Sequence, residues 1–169
     1  MSGDFFRYQI FTFIKSIVMK KYFYPLICLI IFSFNSKAQT AEDSVKAVIN
    51  KMFDAMKNAD SKSLTECFTD SAILQTVVDR NSDVSIKTDV VKTFADEIGR
   101  LQKGDADERI TYDVVRVDGA LAIAWTPYNF YYKGQFSHCG ADSYQLVRIN
   151  GAWKIQYLID TRRKQGCNQ

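Results

Sequence analysis

The chain has 169 residues, a length typical of one domain with its own hydrophobic core. Its 22 lysines and arginines outnumber its 19 acidic residues, but five of the basic residues and one acid lie in residues 1–38. The remainder carries 17 basic and 18 acidic residues, a net charge of −1. The overall basic balance therefore belongs to residues 1–38 and is no evidence for nucleic acid binding, so we expect no nucleic acid partner.

The amino-terminal segment has the pattern of a secretory signal peptide. Met19-Lys20-Lys21 forms a short basic start, and residues 22–34 form an apolar run. Ser36 and Ala38 supply the small residues of a cleavage site. Gln39 is therefore the predicted first residue of the mature chain.

This pattern divides the chain into residues 1–38, a signal peptide, and residues 39–169, a single domain. Met19 is the expected natural start, because residues before it are unusual upstream of a signal peptide. The apolar run of 13 residues is shorter than the roughly 17–25 residues of a membrane-spanning helix. We expect an exported protein, periplasmic or secreted, with no membrane contact after cleavage. The alternative is an uncleaved anchor over residues 5–34.

Three cysteines remain after the predicted cleavage, and an oxidising compartment permits a disulfide. Cys67 shares a helical apolar stripe with Leu64 and Phe68, which favours a buried free thiol. Cys139 and Cys167 are then the candidate pair, although other pairings stay open because connectivity does not follow from sequence. The spacings do not resemble a zinc site, and we predict no metal and no cofactor.

The first half of the mature chain has helical periodicity. Residues 41–58 form a predicted amphipathic helix with Thr40 as its N-cap. Asp60 caps a second, short helix that is expected to continue through Phe68. The apolar stripe of the first helix consists of Val45, Val48, Ile49, Met52, Phe53 and Met56.

A strand and a third helix follow. Residues 72–78 form the predicted strand, and Asn81-Ser82-Asp83 ends it. Thr88 is the expected N-cap of the third helix, and Gly104 follows its end. The buried stripe of this helix consists of Val90, Phe94, Ile98 and Leu101.

Residues 108–163 are predicted to form four strands joined by three glycine turns. The turns are Asp118-Gly119, Lys133-Gly134 and Asn150-Gly151, and such dipeptides favour two-residue hairpin loops. If each loop has two residues, residue 117 faces 120, 132 faces 135 and 149 faces 152.

These registers place an apolar, aromatic surface on one face of the sheet. The row of Glu108, Asn129, His138 and Arg163 makes one end of this face polar. The opposite face is expected to be more solvated and holds Ala122, Ala124, Gln145, Lys154 and Gln156. The predicted pocket-lining residues on the apolar face are Tyr112, Trp125, Asn129, Tyr144, Tyr157 and Ile159.

The order of helix, short helix, strand, helix and long strands resembles the nuclear transport factor 2-like superfamily, in its exported SnoaL-like branch. The local match runs from Asp60-Ser61-Lys62-Ser63-Leu64 into Cys67-Phe68-Thr69-Asp70-Ser71-Ala72, and Gly151-Ala152-Trp153-Lys154-Ile155 matches the last hairpin. Some members are labelled "putative lumazine-binding". The resemblance implies an α+β fold: a cone-shaped, curved antiparallel sheet wrapped around amino-terminal helices, also described as a cystatin-like α+β roll.

Asp142 and His138 are the candidate catalytic residues. Asp142 is the carboxylate among the predicted pocket aromatics, and desolvation would raise its pKa toward that of a general base. A structural, hydrogen-bonded Asp142 is the alternative. His138 lies four strand residues away, about 13 Å, which is too far for a hydrogen-bonded dyad.

Asp160 attracts attention because exported members of the superfamily show similar His-Cys-Gly and Asp-Thr-Arg-Arg motifs. These match His138-Cys139-Gly140 and Asp160-Thr161-Arg162-Arg163. The predicted register nevertheless puts Asp160 on the outer face beside Ala141. A one-residue bulge would turn it inward.

Three functions are compatible with these patterns. The first is an exported protein that binds a small apolar or aromatic ligand in an aromatic-lined pocket. The second is an isomerase, dehydratase or hydrolase with Asp142 as base and His138 or Tyr144 as acid. The third is a non-catalytic accessory module that associates through its outer sheet face. A homodimer is expected, and whether the protein is an enzyme stays open.

Overall fold

The computed structural model describes residues 40–80 and 83–167. The signal peptide lies outside the described residues, so it stays a prediction. Within the described ranges, no helix is long and apolar enough to cross a membrane.

The described residues form three helices: α1 (Ala41–Lys57), α2 (Ser61–Thr65) and α3 (Val91–Ile98). The predicted caps of α1 and α2 are confirmed. Thr40 Oγ1 accepts a hydrogen bond from the backbone of Asp43, and Asp60 Oδ1 accepts one from the backbone of Ser63, each at 3.0 Å. These bonds satisfy amide groups that have no partner within the helix.

The described residues also form seven strands in one sheet: β1 (Phe68–Arg80), β2 (Asp83–Asp89), β3 (Ala106–Ile110), β4 (Val114–Asp118), β5 (Leu121–Tyr132), β6 (Gln135–Ile149) and β7 (Ala152–Thr161). Their order is β2-β1-β7-β6-β5-β3, and β4 also pairs with β5. β1 runs parallel to β7, so the sheet is mixed rather than wholly antiparallel. The predicted α+β class, with amino-terminal helices on a curved, unclosed sheet, is confirmed.

Two predictions at the helix junctions are wrong. α2 ends at Thr65, and Phe68 instead begins β1. Thr88 does not cap α3, because β2 continues to Asp89 and Thr88 Oγ1 accepts a hydrogen bond from Gln75 Nε2 at 3.0 Å. The cross-strand pairing with β1 therefore outweighs the capping preference of threonine.

The predicted single strand before the first glycine turn is two strands, β3 and β4. Its pairing register with β5 changes by one residue between Ile110, opposite Tyr128, and Val114, opposite Trp125. Tyr112 lies in the break, and its hydroxyl donates to Asn50 Oδ1 on α1 at 2.8 Å. The change in register therefore turns Tyr112 toward the helix.

Two of the three hairpin loops have the predicted register. Tyr132 faces Gln135, and Ile149 faces Ala152. In the first hairpin Asp118 faces Leu121, which makes Gly119 the first loop residue with φ +57°. Glycine is favoured at this position because it adopts positive φ without strain.

Two single-residue bulges change the registers beyond these loops. Ser137 has no partner in the β5–β6 ladder, and Gln156 has none in the β6–β7 ladder. Asp142 consequently lies opposite Thr126 and Asp160, not opposite Trp125 and Ile159 as predicted. A one-residue slip turns every side chain of a strand to the other face.

The face that packs on the helices is therefore the even-numbered face of β5. Ala122 and Ala124, predicted to be solvated, are buried in the core at 1% and 3% exposure. Leu146 and Ile155 are buried in the same core cluster as the apolar stripe of α1. The Ser137 bulge explains the error, because it exchanges the two faces of β5 relative to β6.

Candidate functional site

A cavity of about 150 Å³ lies between the helices and the concave face of the sheet. Its apolar lining comes mainly from Met52, Phe53, Met56, Phe94, Ile98 and Leu158. Its polar lining comes from Thr76, Asp89, Glu108, Tyr128, His138, Asp142, Asp160 and Arg162. The side chain of Arg162 is 55% exposed, so this residue marks where the cavity meets solvent.

Most of the predicted pocket-lining residues lie elsewhere. Trp125 and Asn129 are on the outer face of β5, and Trp125 is 43% exposed. Tyr157 and Ile159 face outward because the Gln156 bulge reverses this part of β7. The Tyr157 hydroxyl donates to Gln75 Oε1 at 2.7 Å.

Tyr112 and Tyr144 do lie on the helix side of the sheet, but neither lines the cavity. Tyr112 contacts α1, as described above. Tyr144 is fully buried and reaches the site through a hydrogen bond to Asp142.

Asp142 lines the cavity and is 4% exposed. Its Oδ2 accepts hydrogen bonds from Thr126 Oγ1 and from the Tyr144 hydroxyl, both at 3.0 Å. Burial, followed by the nearby Asp160 carboxylate, raises the pKa of Asp142 to about 7. Asp142 therefore changes its charge near neutral pH.

Asp160 faces inward, which corrects the predicted outward orientation. The Gln156 bulge places it opposite Asp142. This is the one-residue bulge that would turn Asp160 inward from its predicted register. Thr76 Oγ1 donates to Asp160 Oδ1 at 2.6 Å, and Arg162 Nε donates to Oδ2 at 2.7 Å. The Tyr128 hydroxyl adds a longer contact to Oδ2 at 3.3 Å.

Glu108 is the third acid of the cavity. It extends from β3, where it pairs with Phe130, and it forms a hydrogen bond with Asp142. Desolvation raises its pKa well above the ordinary value, and the Asp142 and Asp160 carboxylates raise it further. Two carboxyl groups that share a hydrogen bond must share a proton, because neither carboxylate can donate.

His138 lies on the same cavity wall, opposite Phe130 rather than the predicted Asn129. Its Nδ1 is 3.0 Å from Ser137 Oγ, and its ring centroid is 5.0 Å from that of Phe130. Burial, and secondarily the positive charge of Arg162, lowers the pKa of His138. The imidazole is therefore neutral at pH 7.

Gly140 allows Tyr128 to reach the site. A Cβ at position 140 would lie 1.8 Å from the Thr161 carbonyl oxygen and 2.8 Å from the Tyr128 hydroxyl. This space lets that hydroxyl donate to the Thr161 carbonyl at 2.9 Å. A glycine is therefore needed beside the segment that carries Asp160.

The carboxyl end of the site is tied to β6 by the candidate cysteine pair. Cys139 and Cys167 form a disulfide, with Cα atoms 5.8 Å apart. The backbones of Cys139 and Arg163 also exchange hydrogen bonds of 2.9 and 2.8 Å. These links hold Arg162, which lies between Thr161 and Arg163, beside the cavity. Cys67 is a buried free thiol.

Two candidate residues predicted from the sequence, Asp142 and His138, line the cavity. Thr76, Tyr128 and Arg162 also line it, although none of them was predicted as a site residue. Glu108 was predicted on the correct, inner face of the sheet, but no functional role was assigned to it. The Asp160-Thr161-Arg162-Arg163 motif, which resembles that of exported family members, was the feature that could have identified Arg162. The bulge that turns this residue inward had no recognisable pattern in the sequence.

Residues 40–157 match the sequence model of a protein family described as "Putative lumazine-binding". The chain belongs to this family. The match covers all three described helices and nearly the whole sheet. It confirms the superfamily that the motifs suggested. Comparison with curated proteins gives no match.

Solved structures with the same fold come from several bacteria. A nuclear transport factor 2-like protein of unknown function from Shewanella baltica is 16% identical, covers 72% of this chain and 93% of its own, and has a TM-score of 0.57. A domain of unknown function with a cystatin-like fold from Nostoc punctiforme is 19% identical, covers 76% of this chain and 82% of its own, and has a TM-score of 0.59. These likenesses show the fold alone.

The raised pKa of Asp142 predicts an unusual dependence of stability on pH. The folded chain holds this proton more tightly than the unfolded chain, whose value is 3.8, so the stabilisation is complete below that value and is lost as pH rises through about 7. We expect this group to lower the free energy of unfolding by about 4 kcal/mol between about pH 4 and pH 8. Glu108 acts in the same direction, and His138 opposes it.

Chemical denaturation across this pH range tests the effect. Asp142→Asn should flatten the fall in stability, whereas Asp54→Asn, on the exposed side of α1, should leave it unchanged. A fall of equal size in both variants would contradict the assignment.

Proposed function

We propose that this protein binds a small molecule in the cavity between the helices and the concave sheet face. The observation that carries the proposal is the composition of the cavity walls: one wall is apolar, and the other holds Glu108, Asp142 and Asp160. The family description supports a ligand-binding role of this general kind.

The polar wall lowers the stability of the folded protein, which favours a functional reason for its presence. Buried carboxyl groups close together repel each other and lose hydration. Hydrophobic residues of similar size at such positions would often stabilise a protein equally well or better. Perturbed acids that line a cavity are accordingly typical of binding or catalytic sites.

The size of the cavity limits the ligand. A volume of about 150 Å³ is well below the roughly 300–1,000 Å³ of pockets for drug-sized molecules. A cavity of about this size accepts one benzene-sized ring. We therefore propose a ligand with one ring, or a larger ligand that places one ring inside. A polycyclic ligand does not fit whole.

Filling the cavity should abolish binding. Ile98 lines the cavity and is 7% exposed, so Ile98→Phe would place additional atoms in the space of the ligand. We expect wild-type protein incubated with a metabolite extract to retain a small molecule, detected by mass spectrometry. The filled variant should retain about tenfold less.

Ile86→Phe is the matched control, because Ile86 is 59% exposed on β2 and is not among the residues that line the cavity. It should retain the ligand as wild type does. Equal retention by the two phenylalanine variants would contradict binding in this cavity.

A proton-transfer enzyme is the second candidate function. The specific observation in its favour is a cavity-lining carboxyl, Asp142, whose pKa of about 7 suits a general base. His138 lines the same cavity, where its neutral imidazole could donate a hydrogen bond to a substrate, while Tyr144 lies behind Asp142. A carboxylate base of this kind is compatible with isomerase, dehydratase and hydrolase reactions.

If the retained molecule is turned over, Asp142→Asn should reduce kcat by about 10²–10⁴-fold. Wild-type kcat should rise with pH through about 7, because the ionised carboxylate is the active form. Steady-state kinetics across pH measure both effects. Full turnover by Asp142→Asn would remove the enzyme mechanism and leave the binding function.

We also propose that the protein forms a homodimer through the outer sheet face. The bulges leave an apolar patch there, in which Val114 lies opposite Trp125 and Ile123 follows on the same strand face. Contiguous exposed apolar surface typically marks an interaction site, and a two-fold axis would pair the patch with its own copy. The patch consists of Val114, Leu121, Ile123, Trp125 and Ile149, each 37–49% exposed.

Sedimentation at micromolar concentration should show a dimer for wild type. Trp125→Glu should give a monomer, because the charge would be buried at the centre of the interface. Val84→Glu, on exposed β2 outside the patch, should remain dimeric. A monomeric wild-type protein would contradict the proposal.

A further inference from the structure

The hydrogen-bond donors of the polar wall are already used by its acids. The hydroxyls of Thr126 and Tyr144 donate to Asp142. The hydroxyl of Thr76 donates to Asp160, and the Tyr128 hydroxyl donates to the Thr161 carbonyl with a longer contact to Asp160. Arg162 adds its Nε to Asp160 and its Nη2 to Thr76 Oγ1. The wall therefore offers a ligand mainly carboxyl oxygens, with the remaining N–H groups of Arg162 where the cavity meets solvent.

The charges of the cavity lining also leave carboxyl groups available to a ligand. Among the described residues, two of its four acids form ion pairs: Asp160 with Arg162 at 2.7 Å, and Asp89 with Lys87 at 2.9 Å. Glu108 and Asp142 instead bond to each other. In the absence of a ligand, a proton replaces the missing positive charge between them.

We propose that the cavity takes a small organic cation with N–H donors, an amidine or a protonated amine on one ring, and that its binding releases the proton that Glu108 and Asp142 share. This inference rests on the proposed small-molecule-binding function and names the chemical class of its ligand.

The proton balance follows from electrostatics. A cation beside the two carboxyls favours their ionised forms, so the shared proton leaves to solvent as the ligand enters. The raised pKa values of both groups mean that a proton is present to be displaced at pH 7. The other titratable and charged groups that face this pair are Asp89, Tyr128, His138, Tyr144, Asp160 and Arg162.

The apolar wall suits the body of such a ligand. Phe53 and Phe94 lie on the helix side of the cavity, with Met52 and Met56 beside them. Aromatic faces attract cations, and methionine packs adaptably around a ring. The N–H groups of the cation would then face the carboxyl oxygens of the sheet.

Three probes of equal size separate charge from shape. Benzamidine is cationic at pH 7, benzamide is neutral with N–H donors, and benzoate is anionic. Calorimetric titration of the full-length chain with each probe, in phosphate and in Tris, gives the affinity and the number of protons released. The buffers differ in ionisation enthalpy, so a difference in observed heat reports proton release.

We expect benzamidine to bind at least about tenfold more tightly than benzamide, and benzoate to bind more weakly than either. Benzamidine should release up to about one proton per molecule at pH 7, because its binding displaces the proton that Glu108 and Asp142 share. Benzamide should release almost none.

Glu108→Gln tests the proton source. It removes one of the two acids, while burial and Asp160 still raise the pKa of Asp142, so proton release should fall to about half of the wild-type value or less and benzamidine affinity should drop about tenfold. Glu97→Gln makes the same change of charge on the exposed side of α3 and should alter neither quantity.

The outcomes distinguish this inference from the function on which it rests. Tightest binding by benzamide or benzoate, or benzamidine binding without proton release, would overturn the cationic ligand while leaving a binding cavity. Unchanged proton release in Glu108→Gln would overturn the assigned proton source. If Ile98→Phe leaves benzamidine binding intact, the cavity itself is not the site, and the proposed function fails as well.

Discussion

The site depends on one constraint: two single-residue bulges, at Ser137 in β6 and at Gln156 in β7. Each reverses the faces of one strand relative to its neighbour. The Gln156 bulge brings Asp160 opposite Asp142 on the concave face, and the Ser137 bulge brings Thr126 and Tyr128 of β5 to the same face. Without the Gln156 bulge Asp160 would face solvent, and the cavity would hold three acids rather than four.

The acids tolerate this proximity because hydroxyl groups surround them. Asp142 accepts hydrogen bonds from Thr126 and Tyr144, and Asp160 accepts them from Thr76 and Arg162, with a longer contact from Tyr128. Within the described residues, every buried side-chain nitrogen and oxygen has a hydrogen-bond partner. The network compensates part of the lost hydration, and proton uptake at Glu108 and Asp142 limits the remaining repulsion. The same adjustment makes the site responsive to pH and to ligand charge.

The end of β7 is held more firmly than its terminal position suggests. The Cys139–Cys167 disulfide and the backbone pairing of Cys139 with Arg163 anchor it to β6, while Gly140 leaves space for Tyr128. Residues that face the cavity side therefore alternate with a residue that anchors the chain along this short stretch of β6. His138 and Gly140 face the helices, and Cys139 faces the other way.

The sequence alone determined the elements whose signals are local. Helical periodicity and the caps Thr40 and Asp60 located α1 and the start of α2, and asparagine-glycine and lysine-glycine turns set two hairpin registers. Motifs gave the family, and alternation placed Asp142, His138 and Glu108 on the inner face. Only the tertiary structure decided which residues of β5 and β7 join them. A bulge inserts one residue without a required residue type, so it leaves no local pattern, yet it reverses every side chain that follows it.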